Sequence, residues 1–198
     1  MSEETARERR IKERRRIQTL HRILDTTRIL FDEQGWYEVT VDDIATATDV
    51  DASIIDAYFP TKQALALAAY SRLLRPIVED ATQAITRPWP ACNPAAFIGN
   101  LAKLLTERPA LAAALLPVNH EHEKVDITTT TKVVIVGFDQ LAELLGKLIE
   151  SYWKGDRTSG CDLTEAAELA LGGLLVWILR YPGRSHEDAA RLALNQLL

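Results

Sequence analysis

The sequence predicts an all-α fold in two parts, an N-terminal three-helix unit and a C-terminal helical body, on three observations. Apolar residues recur at three- and four-residue spacing along most of the chain, whereas runs that alternate strictly are few. Two short helical patterns with separate caps lie between Gly35 and Leu65, joined by a turn of about four residues, which is how a helix-turn-helix looks in sequence. The proline-rich stretch Arg87-Pro88-Trp89-Pro90 to Asn93-Pro94 is the clearest loop and separates this unit and its connecting helix from the C-terminal body.

The first helix rises out of a basic arm, residues 1–16, and carries Ile17, Leu20, Leu24, Thr27 and Phe31 on one face, widened by Ile23 and Leu30. It should end at Gln34-Gly35, where glycine is the expected punctuation. Thr40 followed three residues later by Asp43 is a capping pair, so a second helix is expected from Val41 to Ala47 with Val41, Ile44 and Ala45 inward. Thr48-Asp49 then breaks the periodicity, Val50 supplies an apolar anchor, and Asp51 caps a third helix ending near Tyr58-Phe59. Thr61 caps a fourth, with an apolar surface from Ala64 to Leu74. An interruption is expected near Pro76, because proline lacks the donor a helix interior needs. In the body, helices are expected over about 95–106, 109–116, 128–153, 163–181 and 187–197. Polar loops from Asn119 to Asp126 and from Lys154 to Cys161 part them, Pro182-Gly183 breaks the last pair, and Ser185 with Asp188 repeats the capping spacing.

Composition narrows the function. A chain of 198 residues that is 47% hydrophobic can bury a substantial core. Its net charge of -5 is unevenly spread. Residues 7 to 28 hold nine Lys/Arg against three acids, which is +6 and leaves -11 for the remainder, the pattern of a basic arm that meets phosphate and an acidic body that does not. A solvated helical face is the plainer reading of the same charges. No apolar run is long enough for a membrane span and the charged N-terminus is unlike a secretory signal, so a cytoplasmic location is expected. Cys92 and Cys161 are isolated, so neither a disulfide framework nor a zinc ribbon is indicated. His120-Glu121-His122-Glu123 lacks the four-residue spacing of a helical zinc site, and no nucleophile elbow or phosphate-cradling glycine loop occurs. No catalytic residue, metal site or cofactor is therefore expected.

Gly35-Trp36, Thr40-Val41, Asp43-Ile44-Ala45, Val50, Ile55, Tyr58-Phe59, Lys62 and Leu65 together resemble the DNA-binding domain of TetR-type transcriptional regulators. The resemblance covers roughly residues 15 to 75; the remainder matches in layout alone. It implies a DNA-binding domain over residues 17–77 with the helix-turn-helix at 40–59, and a ligand-binding and dimerisation domain over 78–198. By resemblance the chain is a homodimeric repressor whose ligand alters the separation of two recognition helices.

Three positions depart from the family's pattern: Asp49 where glycine is usual, Asp51 where serine is usual, and Asp56 where a tyrosine commonly touches the DNA backbone. Between Asp32 and Asp56 there are eight acids and no Lys or Arg. The third helix therefore lacks the arginine fork that reads guanine, and Ala52, Ser53 and Ile54 are left for hydroxyl or thymine-methyl contacts. Affinity is expected from Arg14, Arg15 and Arg16, with Lys62 and the helix start at Thr61 on phosphate. Thr40 reads equally as a cap alone or as a cap that also meets phosphate, and Tyr58 as a backbone-facing phenol or a packed ring.

In the body, Phe97, Leu101, Leu104, Leu105, Leu115, Val134 and Phe138 fall on faces able to line one cavity, with Trp177 opposite. Thr130 and Thr131 offer hydroxyls to a small apolar or amphipathic ligand, although each of these residues serves as well in plain packing. The segment from Leu163 to Tyr181 is apolar on nearly all sides, which indicates burial on both faces. Ala166, Ala170, Gly173 and Leu174, with Ala190, Leu194 and Leu197, are expected at a two-fold dimer interface. The reading is a ligand-responsive regulator that binds a palindromic operator in double-stranded DNA as a dimer. The alternative is a helical ligand- or partner-binding protein of the same fold with weak or no specific DNA binding.

Overall fold

A computed structural model describes residues 3–86, 93–116, 136–152 and 163–197, with side chains from residue 7 onward. Along the chain lie α1 (Glu3–Gln34), α2 (Val41–Thr48), α3 (Ala52–Tyr58), α4 (Lys62–Ile85), α5 (Pro94–Glu107), α6 (Pro109–Leu115), α7 (Phe138–Tyr152), α8 (Leu163–Arg180) and α9 (His186–Leu197), and no strand occurs among the described residues. The residues from Arg87 to Cys92, the loops at Asn119 to Asp126 and Lys154 to Cys161, and the expected beginning of the helix at 128 lie outside the described residues.

The local signals act where the capping residues stand. The Thr40 backbone N–H donates to Asp43 Oδ2 at 2.8 Å while Thr40 Oγ1 accepts from the Asp43 N–H at 3.1 Å, closing a reciprocal box at the start of α2. Asp51 accepts from the Ser53 N–H at 2.8 Å, and Thr61 from the Ala64 N–H at 3.0 Å. The turn between α2 and α3 requires one left-handed residue, and Asp49 takes it with φ 51°. A short polar side chain tolerates that region better than most, so glycine is not needed there.

Ile23, Phe31, Ile44, Ile55, Phe59 and Leu65 bury fully and join α1, α2, α3 and the start of α4 around one centre. In the body α8 packs between α7 and α9, and α5 lies against α9. At Gly146 the start of α8 lies close against α7: a methyl group there would sit in ordinary van der Waals contact, 3.5 Å from the Leu163 carbonyl oxygen and from Thr164 backbone atoms.

One expectation fails. Pro76 does not interrupt α4, which runs on to Ile85. Interior proline costs about 3 kcal/mol, but Tyr70 and Leu74 before it and Ala81 after it are all buried, and burying a single large apolar side chain returns about 1.5–3 kcal/mol. The cost is therefore outweighed. Because α4 crosses residue 77, the N-terminal unit and the body share one continuous helix.

The two parts are also fastened by polar contacts. The buried Tyr70 phenol donates to Asp32 Oδ1 at 2.7 Å, and Arg28 and Arg108 approach Asp32 Oδ2 at 3.3 and 3.6 Å. Arg108 sits at the α5–α6 junction, so this one carboxylate ties α1 to α4 and to the body. Burial, and then the bond to Asp32, push the Tyr70 phenol far above its ordinary pKa, which keeps it a donor at every physiological pH. At the other end of α6, Gln63 Nε2 donates to the Ala114 carbonyl at 2.7 Å, satisfying an acceptor that the helix end leaves unpaired.

Tyr70→Phe keeps the ring and removes the donor to a charged acceptor, so it should lower unfolding free energy by about 1.5–3 kcal/mol. Urea titration should show a lower midpoint with an unchanged slope; an unchanged midpoint would remove the clasp from the account of stability.

Candidate nucleic-acid interface

The third helix is anchored by its inward side and offers its outward side. Ile55 is fully buried, whereas Ser53, Ile54 and Asp56 are exposed and Ala52 is half-buried. An isoleucine 44% exposed on a seven-residue helix beside serine is a surface suited to thymine methyl groups as well as to water. Thr40 stands exposed at the neighbouring α2 start, with its hydroxyl committed to Asp43.

Arg14, Arg15 and Arg16 form an exposed basic ridge on α1. Arg16 Nε donates to Tyr58 Oη at 2.7 Å, and its guanidinium carbon lies 5.3 Å from the centre of the Tyr58 ring. The half-buried phenol at the end of α3 is thus held by the last arginine of the ridge. No sequence signal links residues 42 apart, so neither spacing nor periodicity points to this pairing.

Lys62 is placed otherwise than expected. Its ammonium donates to the Trp36 carbonyl and lies 4.7 Å from the Trp36 ring centre and 5.7 Å from that of Phe31. Desolvation lowers its pKa, partly offset by Asp43. A group engaged by a carbonyl and two aromatic faces fastens the α1–α2 connection to α4.

The acidic residues are not equivalent. Asp43 and Asp51 are capping carboxylates, held below the usual aspartate range chiefly by hydrogen bonds from Thr40 and from Ser53 respectively. Both sit at helix starts, where the backbone dipole favours negative charge. Asp42 stands exposed in the first turn of α2, Asp49 holds the turn, and Asp56 is exposed in the middle of α3 with neither role.

In the body, Phe97, Leu101, Leu105 and Leu115 are buried together in the core, and Leu104 and Phe138 are half-buried against it. Thr130, Thr131 and Val134 lie outside the described residues, as do His120 to Glu123. Trp177 is half-buried and packs against the core from α8. With Tyr181, Arg184, Asp188, Arg191, Leu192 and Asn195 it lines an open groove of about 850 Å³ between α8 and α9.

The expected dimer residues also need correction. Ala170, Leu174, Ala190 and Leu197 turn inward and are buried by their own chain, while Ala166, Gly173 and Leu194 are half-buried. Ala167, Ala170, Leu171, Leu174 and Ile178 form the inward stripe of α8, which leaves Leu169 67% and Val176 58% exposed on the outward one. The apolar surface available to a partner is therefore rotated from Ala170 and Leu174 to Leu169 and Val176. Among the described residues no cluster of three or more His, Cys, Asp and Glu is arranged to hold a metal, and no helix is long and apolar enough to cross a membrane.

Residues 23–69 match the family profile described as bacterial regulatory proteins, tetR family. No curated protein matches the chain. Solved structures do. Thermus thermophilus FadR, a TetR family transcriptional repressor bound to lauroyl-CoA, superposes with a TM-score of 0.65 at 20% identity over 90% of this chain and 92% of its own. The TetR family regulator PfmR, also from Thermus thermophilus, does so with 0.53 at 21% identity over 89% and 94%. SmeT in complex with triclosan gives 0.57 at 18% identity over 91% and 88%. At such identities the likeness establishes the fold.

Lys62→Met keeps the aliphatic stem and removes the ammonium. It should cost about 1–2 kcal/mol of stability, read by urea titration, and leave the salt dependence of binding to duplex DNA unchanged. A fall of about one in the log-log salt slope would return Lys62 to the phosphate.

Proposed function

Because residues 23–69 match the profile of bacterial regulatory proteins of the tetR family, we propose that this chain is a ligand-responsive transcriptional repressor of that family that binds a palindromic operator as a homodimer. The observation that carries the reading is the reach of Arg16, the last of the exposed arginines 14–16, to Tyr58 at the end of α3, whose Ser53 and Ile54 are exposed and whose Ala52 is half-buried. The ridge supplies sequence-independent attraction to phosphate, and the α3 surface supplies readout in the major groove. Thr40 and Tyr58 add backbone contacts that fix the register.

Residues 17–77 form the DNA-binding domain and 78–198 the ligand-binding and dimerisation domain in this proposal. An apolar or amphipathic ligand occupies the body among Phe97, Leu101, Leu104, Leu105, Leu115 and Phe138. The lauroyl-CoA of FadR, an apolar acyl chain on a charged nucleotide carrier, and the largely apolar triclosan of SmeT favour that ligand class. Release requires tighter ligand binding to the arrangement that fits DNA poorly, since equal affinity for both arrangements shifts nothing. The contacts of Arg108 with Asp32 and of Gln63 with Ala114 join both ends of α6 to the DNA-binding domain, and they offer the route for that bias. The outward face of α8, with Leu169 and Val176, meets the same face of a second copy across a two-fold axis.

A second reading has its own observation. Asp42, Asp49 and Asp56 are exposed on and around a recognition helix without a cation, which favours a ligand- or partner-binding protein of this fold that has lost specific DNA binding. A mobility shift on DNA flanking the chain's own gene decides: nanomolar, sequence-selective binding supports the regulator, and weak sequence-blind binding the alternative. Replacing Arg14, Arg15 and Arg16 by Ala should weaken binding to every duplex and flatten the log-log salt slope by about one unit for each phosphate deprived of its arginine. Leu169→Asp combined with Val176→Asp should shift the chain from dimer to monomer in sedimentation equilibrium; a dimer that survives both charges is joined elsewhere.

A further inference from the structure

The recognition unit has a charge problem that its own residues do not solve. From Asp32 to Thr61 the sequence contains no Lys or Arg, and Asp56 stands exposed two positions before Tyr58. Arg16 reaches across from α1. Its Nε donates to Tyr58 Oη at 2.7 Å and its guanidinium carbon lies 5.3 Å from the ring centre, so a full positive charge is held at the end of α3.

We infer that Arg16 and Tyr58 act as one composite contact to a DNA phosphate, with Arg16 positioning the phenol and lending the recognition helix the cation it lacks. The hydrogen bond runs from Arg16 to the phenol oxygen. That oxygen is thereby used as an acceptor, and the phenolic O–H remains a donor for an anion. Donation into Oη polarises the O–H and makes it a stronger donor. The guanidinium keeps its Nη donors for the same or an adjacent phosphate oxygen, and its planar fork suits that geometry.

The pair is not needed to hold the fold. Ile23, Phe31 and Ile44 already lock α1 to α2, and Ile55 and Phe59 anchor α3. Arg16 itself is exposed, and an exposed contact of this kind adds little to stability. Its effect belongs to recognition. Arg16 adds a positive charge to a helix whose only charged side chain is Asp56, and its hydrogen bond holds the phenol oxygen in place. This inference rests on the DNA-binding reading.

The test compares Arg16→Ala, Arg16→Lys, Tyr58→Phe and the Arg16→Ala/Tyr58→Phe double variant with wild type. Fluorescence anisotropy is measured on DNA flanking the chain's own gene and on a random duplex of equal length, between about 50 and 200 mM salt. Each Ala or Phe variant should lose about tenfold in affinity for the gene-flanking duplex. The double variant should lose little more than either alone, because partners in one unit are not additive. Arg16→Ala should also lower the salt slope on the random duplex by about one, whereas Arg16→Lys should retain the slope but not the affinity. Asp56→Asn should restore part of the binding in the Arg16→Ala background. Equal urea midpoints across the series establish that folding is unaffected.

Multiplicative losses in the double variant, or an Arg16→Lys protein that binds like wild type, would overturn the composite contact while leaving the regulator reading intact. A wild-type chain that binds both duplexes alike and only weakly would overturn the regulator reading, and the inference with it.

Discussion

The Asp32 carboxylate is the point at which the two halves of this molecule are held to one geometry. It lies near the end of α1, receives the buried Tyr70 hydroxyl from α4 and faces Arg108 from the α5–α6 junction. Its side chain is only 15% exposed, so these partners act with little competition from water. Removing any one of them leaves a charge with fewer donors, which is the costly direction for a carboxylate out of solvent. α1 packs on α4 and on α2, and α2 packs on α3, so the seat of α1 on α4 bears on where α3 points. The position of the outward α3 face is thus tied, through one side chain, to the body that would receive a ligand.

Charge on the helix-turn-helix takes a different form once it is divided by role. Asp43 and Asp51 are consumed in starting α2 and α3, where an acidic side chain stabilises the first turn. Asp49 holds a left-handed turn that would otherwise call for glycine. What remains as opposition to phosphate is chiefly Asp42 and Asp56. That is a smaller handicap than eight acids and no cation implied, and Arg16 brings a positive charge to the end of α3 at Tyr58. Lys62, the cation nearest in sequence, is instead retained by Trp36 and Phe31.

Much of the fold was legible in the sequence because its signals are local. The caps at Thr40, Asp51, Thr61 and Ser185 are read from residues two or three apart, and each makes its expected bond. The contacts that position the site are of another kind. Arg16 and Tyr58 are 42 residues apart, Asp32 and Tyr70 are 38, and Gln63 and Ala114 are 51, and no periodicity encodes a pairing over such separations. The outward face of α8 was missed for a related reason. A helix apolar on nearly all sides carries no phase, so Ala170 could be told from Leu169 only with α7 and α9 in place. At Pro76 the missing donor was visible in sequence and the compensating burial of Leu74 and Ala81 was not.

The continuity of α4 through Pro76 sets a limit on how this protein can be divided. Cutting the chain near residue 77 would remove the last two turns and more of a helix whose earlier half carries Leu65, Tyr70 and Leu74, all fully buried. It would also strip away Arg108 and the α6 carbonyl that Gln63 holds. The helix-turn-helix unit is therefore not a detachable module, and grafting it onto another body would have to carry the Asp32 clasp and the whole of α4 along. The two parts share one helix, which makes each part of the other's folding problem.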